Sequence, residues 1–216
     1  MKNAAWVLLI VLPLMVWGQN PTQEEKVMDK KDPIIMPALI LGVNGSQVYG
    51  DDISGYRKFG ANTGAAAFIR LPKNFSVSFE ILYNMKGSRA GSTEVVFDTV
   101  YDYKLILDYI DVPVLINYHD KKRAIFGVGL AYTNLVRYKE LRNNKPFEYP
   151  EGSPYKPRGM EIVGSVSFIF AKHYAVNIRY NHALLDITNR TLPFSDRKGG
   201  GQVNNYLSLR FMYLFN

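Results

Sequence analysis

Three charged residues interrupt stretches of the sequence that otherwise alternate between apolar and polar side chains. Glu80 lies in residues 75–86, Arg179 in residues 174–185 and Arg210 in residues 203–215, each on the face opposite to the apolar side chains. Counting residues from the nearest tight turn or chain end places the three at a similar distance along their strands, and so at a similar depth. Two arginines at one depth repel each other unless a carboxylate lies between them. The spacing therefore predicts that Glu80 lies opposite Arg179 and Arg210 and bridges them.

The residues capable of acid–base or metal chemistry are scattered. His119 and His173 fall in predicted tight turns and His182 lies further along a strand, so neither a metal site nor a histidine-based dyad is predicted. Five acids are expected near the long loops: Asp51, Asp52, Asp98, Asp102 and Asp186. We interpret them as solvated loop residues because no histidine or serine is placed to partner them. We therefore expect no enzyme and no cofactor; a barrel-based enzyme with these acids at its rim stays open as an alternative.

The stretches that carry these residues read as strands joined by alternately tight and long connections. They cover about residues 39–47, 59–71, 75–86, 101–118, 123–138, 160–170, 174–185 and 203–215. The last stretch has one apolar face that becomes aromatic towards the chain end, and the other face holds an arginine. Together they predict an all-β fold, a closed antiparallel eight-stranded up-and-down transmembrane barrel of the outer-membrane type. A soluble barrel or sandwich is the alternative, and it would place its apolar residues inside.

The polar face of each strand then lines the lumen. We expect the inward set to comprise Arg70, Glu80, Lys86, Lys104, Asp108, Glu161, Arg179, Asn181 and Arg210. The interior of an eight-stranded barrel is just wide enough for its own side chains, so the sequence predicts a filled lumen, with an ion or solute path as the alternative. In residues 101–118 the alternation slips, and a β-bulge at residues 109–111 would turn Tyr103, Leu105 and Leu107 outward.

The chain ends and composition suggest export. Residues 1–19 resemble a signal peptide, residues 20–37 a flexible periplasmic segment and residues 38–216 the barrel, with both termini periplasmic. The 216 residues include no cysteine, so no disulfide is possible. The formal charge is +7. We expect no nucleic-acid partner for an exported protein; we expect membrane lipid and lipopolysaccharide phosphates to meet the positive charge.

Three motifs resemble a known family. They are GVNGSQVYGDDISGYRKFG at residues 42–60, FEILYNMKG at residues 79–87 and YIDVPVL at residues 109–115. Together they resemble the PorT-like outer-membrane β-barrel family of the Bacteroidota, although Asp111 stands where glutamate is common. The resemblance implies an outer-membrane barrel without a catalytic motif. Some members of that family are associated with type IX secretion and gliding, and many have no assigned role.

One long loop has the composition of a docking surface. Residues 141–158 contain four prolines together with Phe147, Tyr149 and Tyr155, which we expect to be exposed and to bind a partner. The resulting hypothesis is a non-enzymatic accessory or scaffold subunit of a larger envelope complex for secretion or nutrient uptake. A small transport pore is the first alternative and a barrel enzyme the second.

Overall fold

The chain forms eleven strands in the part that the structure describes. The computed structural model describes residues 33–51, 53, 55–90, 95–96, 99–100, 102–120, 123–150, 152–188 and 201–215. The strands are β1 (Ile35–Tyr49), β2 (Lys58–Leu71), β3 (Phe75–Ala90), β4 (Val95–Val96), β5 (Thr99–Val100), β6 (Tyr103–His119), β7 (Ala124–Arg142), β8 (Lys145–Phe147), β9 (Arg158–Ala171), β10 (Tyr174–Ala183) and β11 (Val203–Leu214).

Eight of these strands close into one antiparallel barrel. The order around the wall is β1, β2, β3, β6, β7, β9, β10 and β11, and the ring closes where β11 pairs with β1. Strands β4 and β5 form a separate two-stranded ribbon, and β8 only extends β7 into a hairpin. Closure pairs the backbone of every barrel strand on both sides, which a lipid environment requires. The predicted eight-stranded closed barrel is confirmed.

The wall is apolar outside and largely polar inside. On β11 the side chains of Leu207, Leu209 and Phe211 are exposed, whereas Ser208 and Arg210 are buried. The other strands repeat this alternation, which is the reverse of a soluble barrel. Aromatic rings lie on two sides of the end of the barrel near the C-terminus. On β9 to β11 and just after it they are Phe170, Tyr174, Phe211, Tyr213 and Phe215, and on β3 and β6 they are Phe75 and Tyr118. These rings form the aromatic girdle that the last strand predicted.

The two ends of the barrel differ in their connections. Tight turns join β2 to β3, β6 to β7 and β9 to β10, and both β1 and β11 have their chain-end residues on this same side. In the first turn Lys73 and Asn74 have φ values of 61° and 64°. Longer connections join the other strand pairs at the opposite end. We refer to these as the turn end and the loop end.

The predicted domain boundaries lie partly outside the described residues. Residues 1–32, which include the predicted signal peptide and most of the predicted periplasmic segment, are not described. Strand β1 begins at Ile35, slightly before the predicted start of the barrel. Within the described residues, no helix has the length and hydropathy needed to cross a membrane.

The predicted bulge is in a different strand. Residues 103 to 119 of β6 alternate without interruption, so Tyr103, Leu105 and Leu107 are buried on the same face as Tyr109. The register shift lies opposite, where Asp108 pairs with Arg137 and Tyr109 pairs with Leu135, so Val136 of β7 is the extra residue. The prediction that Tyr103, Leu105 and Leu107 face outward is therefore wrong. At the loop end, apolar side chains therefore point inward under the loops.

Strands β3 and β7 are longer than predicted and, together with β6, form a tall section of wall at the loop end. Strand β7 continues to Arg142 and turns into β8 through Asn143 and Asn144, whose φ values are 49° and 61°. Two consecutive positive φ values are typical of a type I′ hairpin turn, which asparagine tolerates. The segment predicted as a long loop therefore begins with a β-hairpin.

Candidate functional site

The candidate site is the lumen, and its first feature is an ion cluster near the turn end. Arg179 donates from Nη1 to Glu80 Oε2 at 2.9 Å and from Nη2 to Glu80 Oε1 at 2.6 Å. Arg210 donates from Nη1 to the same Glu80 Oε2 at 3.0 Å. All three side chains are buried. We call Glu80, Arg179 and Arg210 the turn-side triad; the residues that the spacing predicted to meet do meet in the structure.

Neighbouring small and amide residues fix the geometry of this triad. Arg210 Nε donates to Asn177 Oδ1 at 2.8 Å, and Asn177 Nδ2 donates to Ser167 Oγ at 2.8 Å. Gly42, opposite Arg210 on β1, leaves room for the guanidinium, since a Cβ there would lie 2.8 Å from Arg210 Cγ. The arginine is therefore held both by hydrogen bonds and by the space beside it.

A second ion cluster lies nearer the loop end. Lys86 Nζ lies 2.9 Å from Asp111 Oδ2 and 2.6 Å from Glu161 Oε1. Asn181 Nδ2 donates to Glu161 Oε2 at 3.0 Å, and Asn84 Nδ2 donates to Asp111 Oδ2 at 2.8 Å. We call Lys86, Asp111 and Glu161 the loop-side triad. Its hydrogen bonds occupy oxygens that burial would otherwise leave without partners.

The two triads carry opposite charge imbalances. The turn-side triad has two arginines for one carboxylate, and the loop-side triad has two carboxylates for one lysine. Tyr206 lies between them: its hydroxyl is 3.4 Å from Asp111 Oδ2, and its ring centroid is 4.7 Å from Lys86 Nζ. The opposite net charges attract along the lumen, where screening by solvent is weak.

Apolar clusters flank the triads on either side within the described residues. At the turn end the cluster comprises Ala38, Ile40, Ala66, Phe68, Leu82, Ala175, Met212 and Leu214. At the loop end it comprises Val48, Ile53, Ala90, Tyr103, Leu105, Leu107, Tyr109, Tyr155 and Ile187. Between this outer cluster and Glu161 lies a cavity of about 10 Å³, room for about one water molecule.

Two of the residues predicted to line the lumen lie on the outer face. Lys104 and Asp108 occupy the outward positions of β6, so their inward placement is wrong; Asp108 Oδ2 accepts hydrogen bonds from Tyr83 and Arg137 on the outer face. Arg70 lies at the turn end, close enough to His119 to interact electrostatically, and apart from both triads. Glu161 is inward but belongs to the loop-side triad.

The aromatic residues predicted as an exposed docking loop are largely packed. Tyr155 is 3% exposed, and its ring centroid lies 5.9 Å from that of Tyr138. Phe147 and Tyr149 are half-buried and pack edge to face at 5.1 Å. The Tyr149 hydroxyl donates to Glu140 Oε2 at 2.9 Å, and burial, reinforced by that carboxylate, raises the pKa of Tyr149. The exposure predicted for Tyr155 is wrong because the loop folds back over the lumen.

The acids and histidines considered for catalysis do not gather in the described part of the chain. Asp51 Oδ1 accepts the Ile53 backbone N–H at 3.0 Å, and the backbone of Asp102 is bonded to Asn143. His119 is buried against Ser76 Oγ at 2.8 Å, while His173 lies in a different turn. No group of three metal-ligating side chains occurs among the described residues. Asp52 and Asp98 lie outside those residues.

Asp111 and Tyr206 are the lumen residues that the sequence reasoning missed. A signal for Asp111 was available, because Val112, Val114 and Ile116 face outward and the alternating residue before them must then face inward. Tyr206 sits among the polar residues of β11 and has the same parity as Arg210. Its role between the triads depends on contacts with strands distant in sequence, which no local pattern gives.

Several solved structures are similar to this one at low sequence identity. The structure is similar to Ail of Yersinia pestis, with 11% identity, a TM-score of 0.47, and 83% of this chain and 98% of Ail covered. It is similar to Neisserial surface protein A, with 10% identity, a TM-score of 0.47, and 84% and 96% covered. It is also similar to OprG of Pseudomonas aeruginosa, with 13% identity, a TM-score of 0.43, and 84% and 95% covered. These distant likenesses carry no information about function.

The sequence itself identifies the family. None of the curated proteins compared with the chain matches it. Residues 39–189 match the family described as "Outer membrane protein beta-barrel domain". This range covers well over half of the chain and contains most of the barrel strands. The chain therefore belongs to the outer membrane protein beta-barrel domain family.

Proposed function

We propose that this outer-membrane barrel is a non-enzymatic frame, an accessory or scaffold subunit that presents loops to a larger envelope complex. The observation that carries the proposal is the filling of the lumen by two buried ion triads between two apolar clusters. A lumen occupied by bonded side chains makes the barrel rigid and leaves its surfaces as the places for interaction.

The main alternative is a small transport pore. A pore needs a continuous polar path, and in the described residues the ion triads are followed on both sides by apolar layers. Opening a path would require separating ion pairs such as Arg179–Glu80 and Lys86–Glu161 in a dry interior. Because leaving one member of a buried ion pair unpaired costs about 3–5 kcal/mol, the geometry favours a frame.

The tall wall and its hairpin are the best candidate for partner binding. The β7–β8 hairpin projects beyond the barrel, with Phe147 stacked under the Arg142 guanidinium at 3.6 Å. Lys145, Pro146 and Glu148 are exposed around it. A rigid projection with an exposed tip suits a protein partner. The resemblance to PorT-like barrels of the Bacteroidota favours a secretion or nutrient-uptake assembly as the complex.

We propose that the loop end lies outside the cell and both termini lie in the periplasm. An even strand count with long loops at one end and tight turns at the other supports this orientation. The chain has no cysteine, so single introduced thiols are unambiguous reporters. A membrane-impermeant maleimide should label Lys145→Cys in intact cells and should label Lys73→Cys only after lysis. The reverse pattern would contradict this orientation.

Affinity purification tests the scaffold proposal. A tag placed within residues 20–32 leaves every described loop and the last strand unaltered, and outer membranes are then solubilised in mild detergent. The parent should recover a stoichiometric envelope protein. The charge-swapped hairpin variant Lys145→Glu/Glu148→Lys should lose it, whereas the turn variant Lys73→Gln should retain it. Recovery of the barrel alone from the parent would contradict the scaffold role.

A further inference from the structure

The outer face of the tall wall carries a group of cations at the loop end. They are Arg89 on β3, Lys104 on β6, and Arg137 and Lys139 on β7, and we call them the basic patch. Arg89 lies directly opposite Lys104, Lys139 lies opposite Ile106, and Arg137 lies opposite Asp108. Adjacent strand positions therefore place all four on one continuous surface.

The alternation of the strands directs this patch away from the lumen. Ser88 and Ala90 flank Arg89 and are buried, and Glu140 next to Lys139 is buried as well. Arg89, Arg137 and Lys139 are exposed, and Lys104 is half-buried. Since neighbouring residues on a strand point to opposite faces, the cations project outward from the wall.

The positive charge of the patch is only partly compensated. Asp108 is the carboxylate among these outward positions, and its Oδ2 accepts from Arg137 Nε at 2.6 Å and from the Tyr83 hydroxyl at 2.8 Å. Among the described residues, no carboxylate pairs with Arg89, Lys104 or Lys139. Like charges directly opposite on neighbouring strands are destabilising, so Arg89 and Lys104 favour an anion between them.

The patch begins where the lipid-facing surface ends. On β6 the outward residues from Tyr118 back to Ile110 are apolar or aromatic, and this span has about the 9–11 residues that a tilted strand needs to cross a bilayer. Arg137, paired with Asp108, lies just beyond it. Lys139, Lys104 and Arg89 lie further out, at the level of lipid headgroups and the sugars attached to them.

Among the described residues, the opposite wall, formed by β1, β10 and β11, has no such patch. The corresponding outward positions on β1, β10 and β11 are neutral: Gln47, Tyr49, Tyr180, His182 and Asn205. Among the described wall residues at this level, the positive charge is thus concentrated on β3, β6 and β7, with Arg158 on the adjacent β9. A general need for solubility would not produce this asymmetry, whereas a localised anionic ligand would.

We propose that the basic patch binds the phosphate groups of lipid A, the membrane anchor of lipopolysaccharide, in the outer leaflet. Phosphate is a dense anion that guanidinium binds through paired hydrogen bonds and ammonium as a point charge. Arg137 is already oriented by Asp108, which also accepts from Tyr83, and a guanidinium has further N–H donors for a ligand. The proposal rests on the orientation given above, with the loop end outside the cell.

The test measures binding of diphosphoryl lipid A to the purified full barrel in nonionic detergent. The variant Arg89→Gln/Lys104→Gln/Lys139→Gln removes the free cations of the patch. The control Lys73→Gln/Arg123→Gln/Lys172→Gln removes the same number of charges from exposed positions at the turn end. Heat-modifiable gel migration shows which proteins are folded; should the triple variant not fold, Arg89→Gln/Lys139→Gln replaces it.

We expect the patch variant to bind lipid A at least ~10-fold more weakly than the parent, and the control variant to bind like the parent. Added salt should weaken parental binding, because screening reduces attraction between exposed charges. Equal affinity of the parent and the patch variant would overturn the proposal. The proposal would also be overturned if the parent bound dephosphorylated lipid A as tightly as lipid A, since the acyl chains would then suffice for binding.

Binding of inorganic phosphate and binding of an acidic protein are two further outcomes that the test distinguishes. Inorganic phosphate at the same phosphorus concentration should neither bind measurably nor stabilise the barrel, because it is not concentrated in a membrane. An equal effect of inorganic phosphate would overturn the assignment to a lipid. Failure of lipid A to bind the parent, with an acidic envelope protein bound at the patch instead, would also overturn it. These results depend on no envelope complex, so they leave the scaffold proposal to its own test.

Discussion

Arg179 and Glu80 are 99 positions apart in the sequence and form two parallel hydrogen bonds across the lumen, at 2.9 and 2.6 Å. The side-by-side geometry matches the fork of the guanidinium to both oxygens of the carboxylate. It joins β10 to β3, which are not neighbours in the barrel wall. The pair therefore fixes the relative position of opposite walls as well as filling the space between them.

Glu80 should be the most sensitive residue of the turn-side triad. Glu80→Gln leaves both arginines buried without a carboxylate, and we expect a loss of about 3–5 kcal/mol in the free energy of unfolding. Arg210→Gln should be milder, because Arg179 continues to neutralise Glu80 through both hydrogen bonds. Urea unfolding in lipid vesicles, followed by heat-modifiable gel migration, measures the difference.

The exposed turn variant Lys73→Gln serves as the control for this comparison and should unfold like the parent. Unfolding of Glu80→Gln at the urea concentration of the parent would contradict the structural role of the triad. A larger loss of stability in Arg210→Gln than in Glu80→Gln would contradict the conclusion that Arg179 alone can neutralise Glu80.

The loop-side triad should show compensation. Lys86→Met leaves Asp111 and Glu161 facing each other without a cation, so we expect it to destabilise the barrel by about 3–5 kcal/mol. Adding Asp111→Asn and Glu161→Gln removes the uncompensated charge and should restore most of the stability. Equilibrium unfolding of the single and triple variants checks this, and a triple variant less stable than Lys86→Met would argue against the charge account.

The turn-side triad was predictable because its residues lie in the lipid-spanning part of the strands. There, apolar residues face outward, so Glu80, Arg179 and Arg210 have to face inward, and counting from the tight turns gives their depth. The same rule misplaced Lys104 and Asp108. Those residues lie nearer the loop end, where Leu105 and Leu107 turn inward under the loops and charged residues take the outer positions. Alternation shows which residues share a face but does not show which face is inside.

Gly64 should be intolerant of any side chain. A Cβ on Gly64 would collide with the backbone carbonyl oxygen of Ile81 and lie 2.9 Å from Leu82 Cα. Gly64→Ala should therefore destabilise the barrel by about 1–3 kcal/mol through overpacking. Gly164 is the matched control, since a Cβ there meets nothing within 4 Å. Parallel urea titrations of both variants test this, and equal effects of the two substitutions would be inconsistent with the close approach of β2 and β3.

The β7–β8 hairpin should respond to high pH. The raised pKa of Tyr149 keeps its hydroxyl neutral and bonded to Glu140 above about pH 10, where a free tyrosine ionises. Because the folded-state pKa is raised, this bond stabilises the hairpin fully below about pH 10 and is lost as the pH rises through the higher value.

Near-ultraviolet tyrosinate absorbance of the parent and of Tyr149→Phe gives the titration of this residue as a difference. We expect the difference signal to appear well above the ordinary pKa of tyrosine. A difference signal centred at the ordinary value would show that the Tyr149 hydroxyl is free in solution. Tyr132→Phe, on the outer wall, controls for the loss of one tyrosine.

The loops were the least predictable part of the structure. Residues 141–158 suggested exposed aromatics, yet Tyr155 is buried against Tyr138 and pairs with Thr188 of another loop. Whether an aromatic residue in a proline-rich loop packs or projects depends on contacts with segments distant in sequence. The asparagine pair at 143 and 144 did carry a local signal for a tight hairpin, which the many prolines around it obscured.

Single-channel recording in planar lipid bilayers tests the central claim most directly. The purified parent barrel is inserted under the same conditions as an open-lumen porin, and insertion is verified by heat-modifiable migration of barrel recovered from the same lipid. The filled lumen predicts that the parent gives no discrete conductance steps under conditions in which the porin gives clear ones. Reproducible discrete conductance from the parent would contradict the account and identify a pore.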